Sequence, residues 1–310
     1  MKRDYSFDHL EPMAIIVNPL SASGKWERRK KARRLIEKTF KGKIHLASGG
    51  KEATINLVKK IAPGLKTLVA VGGDGTIADV LEGLKRAGCL KQILFGIIPF
   101  GSGNAFRKTF GIPKNILKAI ELLQYGHHRL IDLISFEDKI AGFISVGATA
   151  WVTEEKLKIS LPGFWGHVWA GRKILSLKPK FWQLILVEVL DSQGKILPSL
   201  ELEAPVLDIV IAKTNYFGYS WRISPFADPE DGWLDITLFE MSGYRYILSL
   251  PSIYFGWKQK KLHHFKARRL TITGEKFPIQ YNGEFLGWRK NITFEILPHA
   301  LKIICPQTNK

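Results

Sequence analysis

The chain has 310 residues, 45% hydrophobic and 24% charged, a globular composition sized for two domains or one large one. No stretch reaches the ~18 apolar residues of a bilayer-spanning helix, no apolar run follows the charged start as in a secretory signal, and two distant thiols, Cys89 and Cys305, make no disulfide framework, so the expectation is a reducing cytoplasm. Forty-six Lys and Arg against 28 Asp and Glu give a net charge of +18; such a field attracts nucleic acid, anionic lipid or phosphorylated substrates, but a lysine-rich surface of the thermophile kind carries the same charge.

Met13 to Val17 (MAIIV) reads as a short buried strand, ended by Asn18-Pro19 and followed by a polar loop, Ser21 to Lys25. Ala32, Leu35, Ile36 and Phe40 then recur at helical spacing. The basic residues among them, Arg28 to Lys31, Arg33 and Arg34, read as a solvated helix face rather than an anion site. Thr67 to Val71 is a second strand and runs directly into Gly72-Gly73-Asp74-Gly75-Thr76; a helix with Val80, Leu81 and Leu84 as its stripe follows. Ile93 to Ile98 is a third, leading into Pro99-Phe100-Gly101-Ser102-Gly103-Asn104, and Ile116 to Leu123 fits another helix. Strands alternating with helices predict a parallel sheet covered on both faces.

Beyond Ile131 the pattern changes. Phe143 to Val146, Trp182 to Leu190, Val206 to Ala212, Leu234 to Phe239 and Leu270 to Thr273 are rich in β-branched and aromatic residues and are separated by Gly, Pro, Asn and Asp. They predict an antiparallel β domain. Ala300 to Ile304 reads as a last strand returning to the first domain. The expected division is therefore residues 1–131, completed by 299–310, and residues 132–298.

The strongest chemical signal is Gly72 to Thr76. Glycines at a strand end are expected to permit positive φ and to leave room for phosphate oxygens against the backbone, and the helix that follows turns its free N–H groups to the same place. Asp74 suits such a loop if Mg²⁺ lies between carboxylate and phosphate. One such loop is equally a structural turn with a helix cap. Three of them, after the strands ending at Val17, Val71 and Ile98, fall on the carboxyl edge of one parallel sheet, where ligands bind. The pattern is neither a Walker A motif nor a G-x-G-x-x-G fingerprint.

These residues, N-P-L-S-A-S-G-K at 18–25, G-G-D-G-T at 72–76 and I-I-P-F-G-S-G-N at 97–104, together with F-I-S-V-G at 143–147, S-P-F-A-D-P-E-D-G-W-L-D at 224–235 and N-G-E at 282–284, resemble the diacylglycerol kinase catalytic-domain superfamily, which includes bacterial lipid kinases, sphingosine kinases and ceramide kinases. The blocks occur in family order and cover nearly the whole chain. The resemblance implies an α/β N-terminal domain with a parallel sheet, similar to NAD kinases and phosphofructokinase, and an antiparallel β-sandwich C-terminal domain that helps hold the acceptor. It implies an ATP-dependent kinase that phosphorylates a diacylglycerol-like or sphingoid lipid hydroxyl. ATP would be held by Asn18, Pro19, Ser23, Gly24, Ser48, the loop Gly72, Gly73, Asp74, Gly75 and Thr76, and Gly101, Ser102 and Asn104. Ser48 and Ser102 stand where the family usually has threonine, and serine keeps the hydroxyl. A structural Mg²⁺ would take the Asp231 carboxylate, with Asp228 and Trp233 where backbone carbonyls complete the oxygen shell; an acidic β-turn would look the same.

The family's late D-G-E is N-G-E here. An asparagine is no base at neutral pH, so Glu284 is expected to accept the hydroxyl proton, with Asp74 near the γ-phosphate and Asn282 orienting the acceptor. Ala105 replaces a usual aspartate, Arg107-Lys108 replaces a small residue and Arg, and Tyr219-Ser220 replace paired glycines, departures that bear on acceptor identity.

Phe164 to Trp182 combines Trp165, Trp169, Phe181 and Trp182 with Arg172, Lys173, Lys178 and Lys180, and Ile253 to Arg269 has Trp257 among Lys258, Lys260, Lys261, Arg268 and Arg269. With the kinase resemblance these read as transient contact with an anionic membrane surface, and so as a cytoplasmic, peripherally membrane-associated protein; otherwise they are core aromatics flanked by lysines. His127-His128 and His263-His264 lack partners at zinc-ligand spacing. The alternatives are a kinase for a soluble alcohol such as NAD, and a nucleotide- and lipid-binding protein with weak activity. Nucleic acid is not an expected partner, since no recognition motif accompanies the charge; homodimerisation stays open.

Overall fold

A computed structural model describes residues 6–19, 26–101, 105–159, 163–217, 221–255 and 262–307. The chain divides into two compact units, Met1–Ile131 with His299–Lys310, and Asp132–Pro298.

The first unit is built on the parallel strands β1 (Met13–Val17), β2 (Ile44–Leu46), β3 (Thr67–Gly72) and β4 (Leu94–Pro99), in the order β4-β3-β1-β2. Every residue of β1 and β3 is buried, as an apolar run covered on both faces requires. Ile15, Val17, Val69 and Val71 pack with Ile36 of helix α1 (Lys30–Thr39) and with Ile120 and Leu123 of α5 (Ile116–Tyr125). The pleat turns Ala14, Ile16, Leu68 and Ala70 to the opposite face. Helices α2 (Gly50–Ile61) and α3 (Asp74–Arg86) pack against each other, and α3 against β3. Gly83 is where they meet, since a Cβ there would stand 2.6 Å from the Val58 side chain. A short α4 (Ala105–Thr109) follows β4. The basic residues at α1 are mostly on a solvated face, with Arg28, Arg29, Lys30, Lys31 and Arg34 exposed; Arg33 bonds Glu37 and Glu27, and Arg29 lies 5.6 Å from the Phe100 ring centre.

The second unit begins in β5 (His127–Phe136), which pairs with β6 (Lys139–Ala141). Then come β7 (Phe143–Gly147), helices α6 (Ala148–Leu157) and α7 (Gly163–Gly171), a 3-10 turn at Arg172–Ser176, and strands β8 (Lys180–Leu190), β9 (Ile196–Val206), β10 (Asp208–Ala212) and β11 (Leu234–Phe239). Helix α8 (Gly243–Phe255) precedes the long strands β12 (Leu262–Tyr281) and β13 (Glu284–Cys305). All pairings among β7, β8, β9, β10, β11 and β12 are antiparallel. β12 is the common member, pairing in turn with β11, β8, β13 and β7. The core lies between its strands and includes Trp182, Leu184, Leu270, Phe277 and Phe294.

The α/β unit with a parallel sheet and the antiparallel strand-rich unit match the fold expected from sequence. Three details differ. Ala300 to Ile304 is not a separate strand: it ends the 22-residue β13, whose Lys302 and Ile303 pair in parallel with Leu94 and Phe95. Helices α6, α7 and α8 lie between the expected strands, where no helix was expected. Trp182, read as an interfacial aromatic, is 3% exposed, its ring centre 5.3 Å from that of Phe277.

Candidate functional site

In the first unit the strand register brings the site residues together. Val17 pairs with both Leu46 and Val71, and Gly72 with Pro99. The residues that follow, Asn18 and Pro19, Ser48, the Gly72–Thr76 loop and Gly101, therefore leave the sheet at one edge. Ser23, Gly24, Ser102 and Asn104 lie outside the described residues.

Gly72 and Gly73 are not left-handed: Gly73 has φ −108°, and neither is among the positive-φ glycines. Their smallness serves close approach instead. The Gly72 carbonyl accepts from the N–H groups of Phe100 and Gly101 at 2.8 and 3.1 Å. A Cβ on Gly73 would stand 2.9 Å from Gly101 Cα, and one on Gly72 2.4 Å from the Thr76 side chain. Two strand-end loops are thus pressed together, backbone to backbone.

Gly73 is also the N-cap of α3 and offers no side chain to cap it, so the amides of the first turn have no capping side chain. The Thr76 hydroxyl is buried without a hydrogen-bond partner among the described residues, a condition worth roughly 1–3 kcal/mol in lost solvation unless a ligand answers it. Asp74 Oδ1 accepts from the Phe106 amide at 3.3 Å, tying the acid to α4. Lys108 of α4, which sequence reading noted only as a departure, lies near enough to Asp74 to feel its charge. Burial and the Arg107 guanidinium lower its pKa, against the pull of Asp74. An acid, a lysine, an orphaned hydroxyl and uncapped amides on one sheet edge form an arrangement that fits a metal-bound phosphate chain. The donor set fits Mg²⁺ through Asp74.

In the second unit, Asn282 and Gly283 form the two-residue turn between β12 and β13, with φ of +48° and +90°. Asn-Gly is the pair that tolerates this geometry best. The Asn282 side chain is buried and occupied: Oδ1 accepts from the Gly142 amide at 3.0 Å and Nδ2 lies 3.5 Å from the Ile140 carbonyl. Its backbone N–H donates to Phe143 O at 3.0 Å. Asn282 thus anchors the hairpin instead of orienting an acceptor. Buried Gln280 supports the same turn, donating to Ser145 Oγ and accepting from the Gly283 amide, both at 3.0 Å. Glu284, the next residue, opens β13 and is half-buried.

The loop Asp228–Trp233 is where the structure departs most from expectation. The Lys213 ammonium, 1% exposed, donates to Asp231 Oδ1 at 2.7 Å and to the Trp233 carbonyl at 2.6 Å. Asp132 Oδ2 is 3.4 Å from it and Asp235 Oδ2 3.8 Å. Lys266 bonds the other oxygen of Asp231. Two of the three groups assigned to a structural Mg²⁺ already serve an ammonium, and a second cation there would meet its charge at close range. The Asp228, Asp231 and Trp233 set does not fit a divalent ion. Burial opposes ionisation of Asp231, but Lys213 and Lys266 hold its carboxyl below the ordinary value. Burial pushes Asp235 up to about 6 despite the same lysines. The sequence signal for Lys213 was a lone cation ending the buried run of β10.

Of the aromatic and basic segments, Trp169 is 49% exposed with the Arg172 guanidinium stacked 3.6 Å from its ring centre. The 3-10 turn that carries Arg172 packs against both α7 and α8. Val168, Leu175, Tyr244, Leu248, Tyr254 and Phe255 on these elements are also exposed. Trp257, Lys258, Lys260 and Lys261 lie outside the described residues. No helix is long and apolar enough to cross a membrane among the described residues.

The comparisons with known proteins follow the same division. The family model of the diacylglycerol kinase catalytic domain matches residues 12–136. That of the YegS C-terminal NAD kinase beta sandwich-like domain matches residues 172–305. The sequence is 24% identical over 266 residues to the diacylglycerol kinase of Staphylococcus carnosus, covering 84% of this chain and 83% of that protein. It is 27% identical over 232 residues to the diacylglycerol kinase of Bacillus subtilis, 71% of each chain. The fold is similar to the crystal structure of a diacylglycerol kinase from Bacillus anthracis strain Sterne, with a TM-score of 0.69 over 95% of this chain and 97% of that one at 18% identity. Sequence blocks, domain matches and fold agree: the chain belongs to the diacylglycerol kinase catalytic-domain superfamily of lipid kinases, phosphotransferases that act on an alcohol.

Proposed function

We propose that this kinase uses ATP as phosphoryl donor and a diacylglycerol-like or sphingoid lipid hydroxyl as acceptor. The observation that carries the reading is the edge where Asn18, Ser48, the Gly72–Thr76 loop and Gly101 emerge together, with the Thr76 hydroxyl buried and unanswered. The uncapped amides of α3 and the Thr76 hydroxyl bind phosphate oxygens, and Lys108 adds a cation to the same cluster. Asp74 would hold Mg²⁺, which would offset charge on the phosphate chain. Ser23, Gly24, Ser102 and Asn104 belong to the same binding set by the resemblance.

Glu284 accepts the proton of the acceptor hydroxyl as the oxygen attacks the γ-phosphorus. The lipid phosphate and ADP are the products. Anchoring of the Asn282–Gly283 turn by Gly142, Phe143 and Gln280 fixes the backbone from which Glu284 projects, which suits a base that must be positioned within hydrogen-bond reach. The exposed apolar side chains around α7, the 3-10 turn and α8, with Arg172 beside Trp169, support transient docking on an anionic membrane.

The test is transfer from radiolabelled ATP to a total bacterial lipid extract, with product identification, for wild type and Glu284→Gln. Loss of a general base lowers turnover about 10²–10⁴-fold, with nucleotide affinity retained. Equal rates would remove Glu284 from the mechanism, and a labelled water-soluble alcohol in place of a lipid would overturn the acceptor class.

A further inference from the structure

We propose that the Lys213 ammonium is the built-in cation of the Asp228–Trp233 loop, occupying the position a divalent ion would take, so that the second unit folds without metal.

Lys213 follows β10, whose two neighbours β7 and β11 bury it on both edges. Its backbone N–H donates to the Gly142 carbonyl at 2.7 Å, which fixes where the side chain starts. The ammonium has three N–H groups and finds three oxygens within reach, from Asp231, Trp233 and Asp132. Those oxygens are spaced for nitrogen: 2.6 and 2.7 Å are short charge-assisted hydrogen bonds, whereas Mg²⁺ demands ~2.0–2.1 Å and near-octahedral geometry. The acids are held in turn. Asp132 Oδ2 accepts from the Gly232 amide at 2.7 Å and Asp231 Oδ1 from the Trp233 amide at 3.1 Å. Asp235 Oδ2 accepts from the Asp228 amide at 3.2 Å. The loop is thus wrapped around one buried point charge, with Lys266 as a second, half-exposed cation on the other side of Asp231. Three carboxylates and two ammoniums already come close to balance; an added divalent ion would leave an excess of positive charge in a site with little water to screen it.

The test reads stability and metal binding in the full chain without nucleotide. Thermal melts of wild type are expected to coincide, within about 1 °C, in EDTA and in millimolar Mg²⁺ or Mn²⁺. Titration with Mn²⁺, followed by electron paramagnetic resonance, is expected to find no site that Asp231→Asn abolishes. Lys213→Ala leaves the acids facing one another and is expected to melt on the order of 10 °C lower in EDTA, and to regain part of that loss in Mn²⁺. One Mn²⁺ bound per wild-type chain and lost in Asp231→Asn would overturn the proposal. So would a Lys213→Ala protein as stable as wild type. A destabilised variant with no response to divalent ions would overturn the claim that ammonium and metal share one position. If the variant does not fold in either condition, the wild-type Mn²⁺ titration decides alone.

Discussion

At the scale of single residues, the exchange of one atom at position 282 separates two roles. An aspartate would offer a carboxylate next to a candidate base; the asparagine present offers an amide that can both accept and donate. Its oxygen takes the Gly142 amide and its nitrogen faces the Ile140 carbonyl. Asn282→Asp keeps the turn, because aspartate also tolerates positive φ, but sets a buried carboxylate oxygen against a carbonyl. The expected cost is about 1–3 kcal/mol, measured by urea unfolding, with turnover per folded molecule unchanged within about twofold. A tenfold gain in turnover would instead show that the chemistry wants an acid there. Lys213 makes the same point from the opposite direction: a full positive charge in a strand run looks misplaced until its three oxygens are found.

At the scale of elements, the proposed nucleotide edge depends on two loops that touch through backbone. Gly73→Ala places a methyl group 2.9 Å from Gly101 Cα, closer than real Cβ contacts come, so one loop must shift. ATP affinity is expected to fall about tenfold or more by calorimetry, while melting temperature changes little, since the strain falls outside the buried strands. Much of this edge was legible in the sequence. Buried five- and six-residue runs, each followed by glycine or Asn-Pro, define parallel strand ends with little ambiguity, and β1, β3 and β4 fall within a residue of their expected bounds. The reason for the glycines was not legible, because positive φ and close approach leave the same letter. Strand β9 escaped because its exposed face carries Ser199, Glu201 and Glu203 among half-buried leucines, and two prolines, Pro198 and Pro205, interrupt it. Helix α7 escaped because Gly163, Gly166 and Gly171 suppress helix propensity, and its aromatic content drew the eye to membranes. The acidic loop was found but misassigned, since its cation comes from 18 residues upstream of Asp231.

At the scale of the whole molecule, the proposed membrane docking rests on a net charge of +18 and a cluster of exposed aromatic and aliphatic side chains. In that proposal the charge draws the protein to an anionic surface, an attraction screened within about 8 Å at physiological salt, and the apolar side chains hold it there. Wild type is expected to sediment with anionic vesicles and far less with neutral ones. Trp169→Ala combined with Leu248→Glu is expected to lower the bound fraction about tenfold without moving the melting temperature, because both side chains are exposed. Equal sedimentation of variant and wild type would place the contact elsewhere.

The long strand β13 has a consequence for biosynthesis. It opens with Glu284 in the second unit and closes beside β4 in the first. During translation, the β4 edge of the parallel sheet must wait, unpaired, while the ribosome makes every residue from 132 to 298. An open strand edge held that long is a template for wrong partners, so a nascent chain stalled before residue 302 is expected to aggregate more readily than the full chain.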